Sequence, residues 1–223
     1  ILDMEHGKTN VSNLEDLVRA TESEGCDALV RVDSLNEISI LKALDSGATG
    51  VIIPHISSAS DMQKAVSFSK YYPIGKRGFS SFTSAGKYSL EYVKTHAESK
   101  NMSTVVGIII EDIEGISNLK EILDVGNLDI VYIGAYDLAQ SMGYPGNPKH
   151  PEVFGNIQKA IELVKKYNIA VGGYAASNHE EMKTMLDMGM QFITYIPEVT
   201  VIYHCFKSIK DNFVSIAIEK PNL

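Results

Sequence analysis

The chain is short of cysteine, of long apolar runs and of clustered positive charge, and each shortage removes a class of function. Only Cys26 and Cys205 occur among 223 residues. Their spacing fits neither a thiolate metal site nor a redox pair, and both are expected to sit as small buried hydrophobes in a reduced, cytoplasmic protein. No apolar run approaches the roughly 20 residues that cross a bilayer, so no membrane partner is expected. Lys and Arg number 20 against 28 Asp and Glu, a formal charge of −8, with no basic block. That balance argues against binding nucleic acid, which needs a basic face. No low-complexity linker interrupts the sequence, so residues 1–223 read as a single domain. An initiator Met is also missing: the chain opens on Ile1-Leu2-Asp3, which reads as the inside of a strand. Upstream residues are therefore expected.

What is present is an alternation. Short β-branched runs cover 1–3, 28–32, 50–56, 105–111, 130–133, 170–174 and 192–196. They are almost continuously apolar, as strands of a parallel sheet buried on both faces are. Helical periodicity fills 13–23, 34–46, 60–70, 119–125, 153–167 and 178–188, with Leu14, Leu17 and Val18 facing one way in the first. Ile38, Leu41 and Leu44 stand at helical spacing in the second, which Gly47 stops. Repeated βα units of this length favour a (β/α)₈ TIM barrel or a doubly wound sheet. Seven strands are one short of a barrel, and a first βα unit upstream would supply the eighth. Residues 71–85, YYPIGKRGFSSFTSA, read as a long functional loop.

In such folds chemistry sits where strands end. The strand ends here carry Asp3, Glu5 and His6, Arg31 and Asp33, His55, Glu111 and Asp112, Asp137, Tyr174 and Glu198. That is more ionisable surface than packing requires, because unpaired buried charge is costly. Glu111 and Asp137 end consecutive strands, so their carboxylates should converge. They are either ligands of a hard divalent cation or N-caps of the helices that follow. Arg31 could grip a carboxylate at two points or simply pair with an acidic neighbour. His6, beside Asp3 and Glu5, is placed to act as a general base. Asp45, at a helix end, reads on its own as a solvated or capping residue.

The stretches LDMEHG, LKALDSGATGVIIPHI, YYPIGKRG, IIIEDIEGISNL and YIGAYDLAQSMGYPGNPKHP together resemble the HpcH/HpaI aldolase family. Its members are metal-dependent class II pyruvate aldolases with a (β/α)₈ fold, and the likeness covers nearly the whole chain in order. It implies that Glu111 and Asp137 hold the metal, Mg²⁺ or Mn²⁺ before Co²⁺, Zn²⁺ or Ca²⁺. It implies that His6 is the catalytic base in a dyad with Asp45, and that Asp3 belongs to the same cluster. Arg31 then contacts the pyruvate oxygens, and the amides of Gly134, Ala135, Tyr136 and Asp137 receive the pyruvate carboxylate. A homo-trimer or homo-hexamer acting on an oxo acid and an aldehyde is implied as well. The chain departs from the pattern at Ile109, where Gln is common, and at Ala135, where Pro is. It departs again at Pro197-Glu198, in place of Gly-x-Asp, and at Ala85, where an Arg is usual. These positions surround the second reactant, so two further readings stand beside the aldolase. One is a citrate-forming condensation of an oxo acid with an acyl-CoA, and the other a non-catalytic barrel that binds an oxo acid.

Overall fold

The computed structural model describes residues 1–91, 93–175 and 179–219. Strands and helices alternate: β1 (Leu2–Asp3), α1 (Val11–Ser23), β2 (Leu29–Arg31), α2 (Glu37–Asp45), β3 (Gly50–Ile53), α3 (Ala59–Ser69) and α4 (Val93–Ser103). There follow β4 (Val105–Ile110), α5 (Ile113–Ser117), α6 (Leu119–Asp124), β5 (Ile130–Ile133), α7 (Ala135–Ser141) and α8 (Pro151–Lys166). β6 (Ala170–Ala175), α9 (His179–Asp187), β7 (Phe192–Tyr195) and α10 (Glu198–Glu219) complete the order. All seven strands lie parallel in one sheet, each beside its sequence neighbours, with β1 and β7 at the ends of the order. This α/β connectivity is that of a TIM-barrel-like fold. The eighth strand expected upstream does not fall among the described residues.

The apolar runs behave as two-faced buried strands: every residue of β3 is buried, and so is every residue of β4 after Val105. Turn chemistry sets the phase of the helices. The side chain of Asn36 accepts from the amides of Ile38 and Ser39 at 2.9 and 3.2 Å, a cap worth about 1 kcal/mol. That phase turns Ile40, Ala43 and Leu44 into the core and leaves Ile38 60% exposed, which corrects the expected stripe through Ile38 and Leu41. Gly47, at φ 99°, ends the helix in a conformation a side chain would strain. Residue 178, where the last expected helix began, lies outside the described residues, and α9 runs from His179. Helices α4, α5, α7 and α10 escaped the periodicity reading, the first because its apolar residues are too sparse to form a stripe.

Both cysteines are exposed, against expectation. Cys26 sits in the turn before β2, and Cys205 sits on α10, where every residue from 201 to 216 is exposed. No helix among the described residues is long and apolar enough to cross a membrane.

Candidate active site

Because the strands run parallel, their C-terminal ends gather ionisable side chains along one rim. Arg31, at the end of β2, reaches sideways to Asp3 at the end of β1. Its Nε donates to Asp3 Oδ1 at 2.8 Å and its Nη2 to Oδ2 at 2.6 Å, a two-point grip. Its Nη1 lies 2.9 Å from Glu5 Oε2. That contact is an ion pair without hydrogen-bond alignment, since Glu5 Oε2 is buried and accepts no hydrogen bond. Glu5 Oε1 is 3.1 Å from Nε2 of His55, and Nδ1 of the same ring is 2.7 Å from Oε1 of Glu111. The rim is thus one chain of contacts, from Asp3 through Arg31, Glu5 and His55 to Glu111.

His55 owes its place to backbone geometry. Pro54 ends β3, so the expected run to Ile56 stops at Ile53, and His55 adopts φ 57°. For a residue with a side chain this costs roughly 1–2 kcal/mol. The same kink aims its amide at Glu111 Oε1, 2.8 Å away, so ring and backbone seize one carboxylate together.

Glu111 is 6% exposed, and its carboxyl titrates above the ordinary range. Burial is the main cause, the amide and charge of His55 oppose it, and the charges of Glu5 and Asp137 add to it. Asp137 lies in the first turn of α7, one strand over, near enough to be felt electrostatically. Gly134 makes room for this: a methyl group there would stand 2.6 Å from Glu111 Cβ and 3.0 Å from its Oε2. Asp3 titrates low. Burial would raise it, but the bonds and charge of Arg31 and the amides of Glu5 and His6 outweigh that.

Neither Glu111 nor Asp137 is an N-cap. Asp112 caps α5, its Oδ1 accepting from the Gly115 amide at 2.6 Å, and Gly134 precedes α7 with no side-chain cap. The residues fit a divalent cation. Glu5, Glu111 and Asp137 pack negative charge that Arg31 and His55 only partly offset, and two carboxylate ligands leave coordination positions for water and substrate. No group of three or more His, Cys, Asp or Glu poised around one metal position occurs among the described residues.

Asp45 is neither solvated nor a cap. Its Oδ1 accepts from Nη2 of Arg77 at 2.9 Å, and that guanidinium is buried over the Tyr71 ring, 4.7 Å from its centroid. His6 is exposed, and its imidazole has no hydrogen-bond partner among the described residues. Its amide points to Asp3 Oδ1 at 3.3 Å.

With this rim in view, the chain was compared with known proteins. It matches the HpcH/HpaI aldolase/citrate lyase family over residues 1–204. The chain belongs to this family. Among HpcH/HpaI relatives, the 4-hydroxy-2-oxo-heptane-1,7-dioate aldolase of Shigella flexneri is 30% identical over 226 residues, covering 100% of this chain and 84% of that protein. The solved HpcH/HpaI aldolase of Desulfitobacterium hafniense DCB-2 aligns with TM-score 0.86 at 24% identity, covering 94% of this chain and 81% of its own, a likeness of fold. The citrate synthase SbnG aligns with TM-score 0.83 at 28% identity over 96% of this chain and 83% of its own.

The structure joins Arg31 to Asp3, and brings Glu111 within reach of the Asp137 charge. It pairs Asp45 with Arg77 and leaves His6 apart from Asp45. Glu5 and His55 stood among the strand-end charges with no role attached, yet they link the two halves of the rim. Arg77 went unnoticed inside GKRG, since nothing in a loop sequence tells a buried guanidinium from a solvated one.

Proposed function

We propose that this HpcH/HpaI protein is a class II pyruvate aldolase that cleaves and forms 4-hydroxy-2-oxo acids. The observation that carries the reading is the rim itself: buried Glu111 beside Asp137 on adjacent strand ends, with Arg31 fixed two strands away. The relative named for a 4-hydroxy-2-oxo acid supports the reaction class, because breaking C3–C4 of such an acid yields pyruvate and an aldehyde. The fold proposed is a single (β/α)₈ barrel domain, working in the cytoplasm as a homo-trimer or homo-hexamer.

Glu111 and Asp137 would hold Mg²⁺ or Mn²⁺, which when bound supplies Lewis-acid polarisation of the 2-oxo group. The amides of Ala135, Tyr136 and Asp137 would receive the substrate carboxylate, since α7 begins there without a side-chain cap; the Gly134 amide, expected to join them, is already donated to the Ile110 carbonyl at 3.0 Å. Arg31 spends its Nε–H and one N–H of Nη2 on Asp3, and holds Nη1 against Glu5 as an ion pair. One N–H on each Nη is left to face the 2-oxo oxygen as negative charge gathers there. His6, free of other partners, would take the proton from the C4 hydroxyl, with Asp3 steadying the cluster through Arg31; Asp45, expected to orient His6, is held by Arg77 instead. The C3–C4 bond then breaks, its electron pair passes to C3, and the C4 oxygen becomes the aldehyde carbonyl. A proton returned to C3 completes pyruvate.

The likeness to SbnG favours one alternative, condensation of an oxo acid with an acyl-CoA. A direct assay separates the two. Purified protein with Mn²⁺ should release pyruvate from 4-hydroxy-2-oxo acids and lose that activity in EDTA. Activity confined to oxaloacetate with acetyl-CoA would replace the aldolase by the condensing enzyme.

A further inference from the structure

The fold treats the two oxygens of the Glu111 carboxylate differently. Oε1 accepts from the His55 amide at 2.8 Å and lies 2.7 Å from Nδ1 of the same residue. A carboxylate oxygen offers two lone pairs, so amide and ring together occupy this one. Oε2 faces Gly134 instead, where a methyl group would stand 3.0 Å from it, at the start of the helix whose first turn holds Asp137. The device behind this asymmetry is rigid. Pro54 precedes His55, and Ile56 after it is buried, its amide donated to the Ile109 carbonyl of β4 at 3.3 Å. The ring, although 66% exposed, is also held from its far side. Nε2 lies 3.1 Å from Oε1 of Glu5, whose side chain is 10% exposed and paired with Arg31. A histidine serving the turn alone would need only its tolerance of φ 57°. It would not need a carboxylate at each ring nitrogen.

We propose, on the reading of Glu111 as a cation ligand, that His55 is a positioning residue which leaves Glu111 one oxygen for the cation and so sets the choice of ion. A site built this way favours a small ion such as Mg²⁺ or Mn²⁺ over Ca²⁺. Mg²⁺ demands an octahedral shell, and one oxygen from each carboxylate suits it, with water and substrate in the other positions. Ca²⁺ is larger, takes roughly six to eight oxygens, and readily fills its shell with both oxygens of a carboxylate. With Oε1 of Glu111 held by His55, that second oxygen is denied to the larger ion. Removing the ring returns one lone pair of Oε1, and both oxygens can then close on a single ion.

Two variants separate the ring from the turn. His55→Gly keeps the left-handed backbone and removes the ring. His55→Asn tolerates the same backbone and places an amide N–H near the position of Nδ1. Calorimetric titration of the full chain with Mn²⁺ and with Ca²⁺, in the absence of substrate, gives the ratio of the two affinities. Wild type should bind Mn²⁺ more tightly than Ca²⁺. The ratio should fall at least about tenfold in His55→Gly, as expected on loss of a group that orients a ligand. His55→Asn should recover most of it. An unchanged ratio in His55→Gly overturns the proposal while leaving Glu111 a ligand. A ratio in His55→Asn as low as in His55→Gly assigns the selectivity to the bulk of the ring, not to its hold on Oε1, and overturns it as well. A wild type that binds Ca²⁺ as tightly as Mn²⁺ does so without any variant, should His55→Gly fail to fold. A wild type that binds neither ion removes the ligand assignment itself, and the role of His55 with it.

Discussion

Glu111→Gln should remove at least about 1,000-fold of kcat/KM while leaving the fold as stable as before or more so. The first half exceeds the loss that follows removal of a single electrostatic stabiliser, because a cation ligand is lost with it. The second half follows from the titration of the group. Glu111 takes up a proton more readily in the folded protein than in the unfolded chain, mainly through burial, with Glu5 and Asp137 adding to it. A raised carboxylate weakens the fold above its own pKa, and the penalty disappears as pH falls toward the unfolded value of 4.5. Above pH 4.5 the carboxyl therefore carries this penalty, and a neutral amide of the same shape relieves it. The lost contact to His55 costs little, since that ring is 66% exposed. Melting should rise by about 2–4 °C for each kcal/mol relieved. Calorimetric titration with Mn²⁺ should show affinity reduced at least tenfold. Wild-type Mn²⁺ affinity in this variant would refute the ligand assignment, and a large fall in melting temperature would refute the electrostatic argument.

Arg31→Lys keeps the charge and loses the fork. Lysine cannot span both oxygens of Asp3 while also facing Glu5, so one of the two carboxylates goes unpaired. Glu5 suffers most, because its side chain is only 10% exposed and Oε2 already lacks a hydrogen bond. A loss of about 1–3 kcal/mol is expected, below the figure for a fully buried pair because Arg31 and Asp3 are partly open to water. The sign of the pH effect is fixed too. Asp3 titrates below 3.8 because Arg31 outweighs the effect of its burial. It therefore stabilises the fold above that value, and the contribution is lost as pH falls through the lowered pKa. With the fork removed, acid unfolding followed by circular dichroism should begin at a higher pH than in wild type. Turnover should fall about 100-fold, since the remaining N–H groups no longer face the substrate oxygen. An unchanged acid midpoint together with unchanged turnover would show that Arg31 serves neither role.

The sheet was legible because a strand buried on both faces must be apolar throughout, and five of the seven strands run for four residues or more. The carboxylates were legible for the converse reason: a charge directly after such a run is hard to explain as packing. What stayed hidden depends on distant partners. Asp45 looks like any helix-end acid until Arg77, 32 residues away, folds over Tyr71 to meet it. His55 looks like the tail of a strand, and only its left-handed backbone turns it back onto Glu111. The cysteines are exposed although composition predicts burial on average: Cys26 sits in an exposed turn, and Cys205 lies in the stretch 201–216 of α10, every residue of which is exposed.

The central claim is that this rim draws a proton from the methyl group of an oxo acid with the help of a divalent cation. Proton magnetic resonance of pyruvate in deuterated water tests it without any assumption about the aldehyde. Wild-type protein with Mn²⁺ or Mg²⁺ should exchange the methyl protons for deuterium, stop when EDTA is added, and resume when the metal is restored. Methyl signals that persist undiminished with every divalent cation tried, or exchange indifferent to EDTA, would contradict the account.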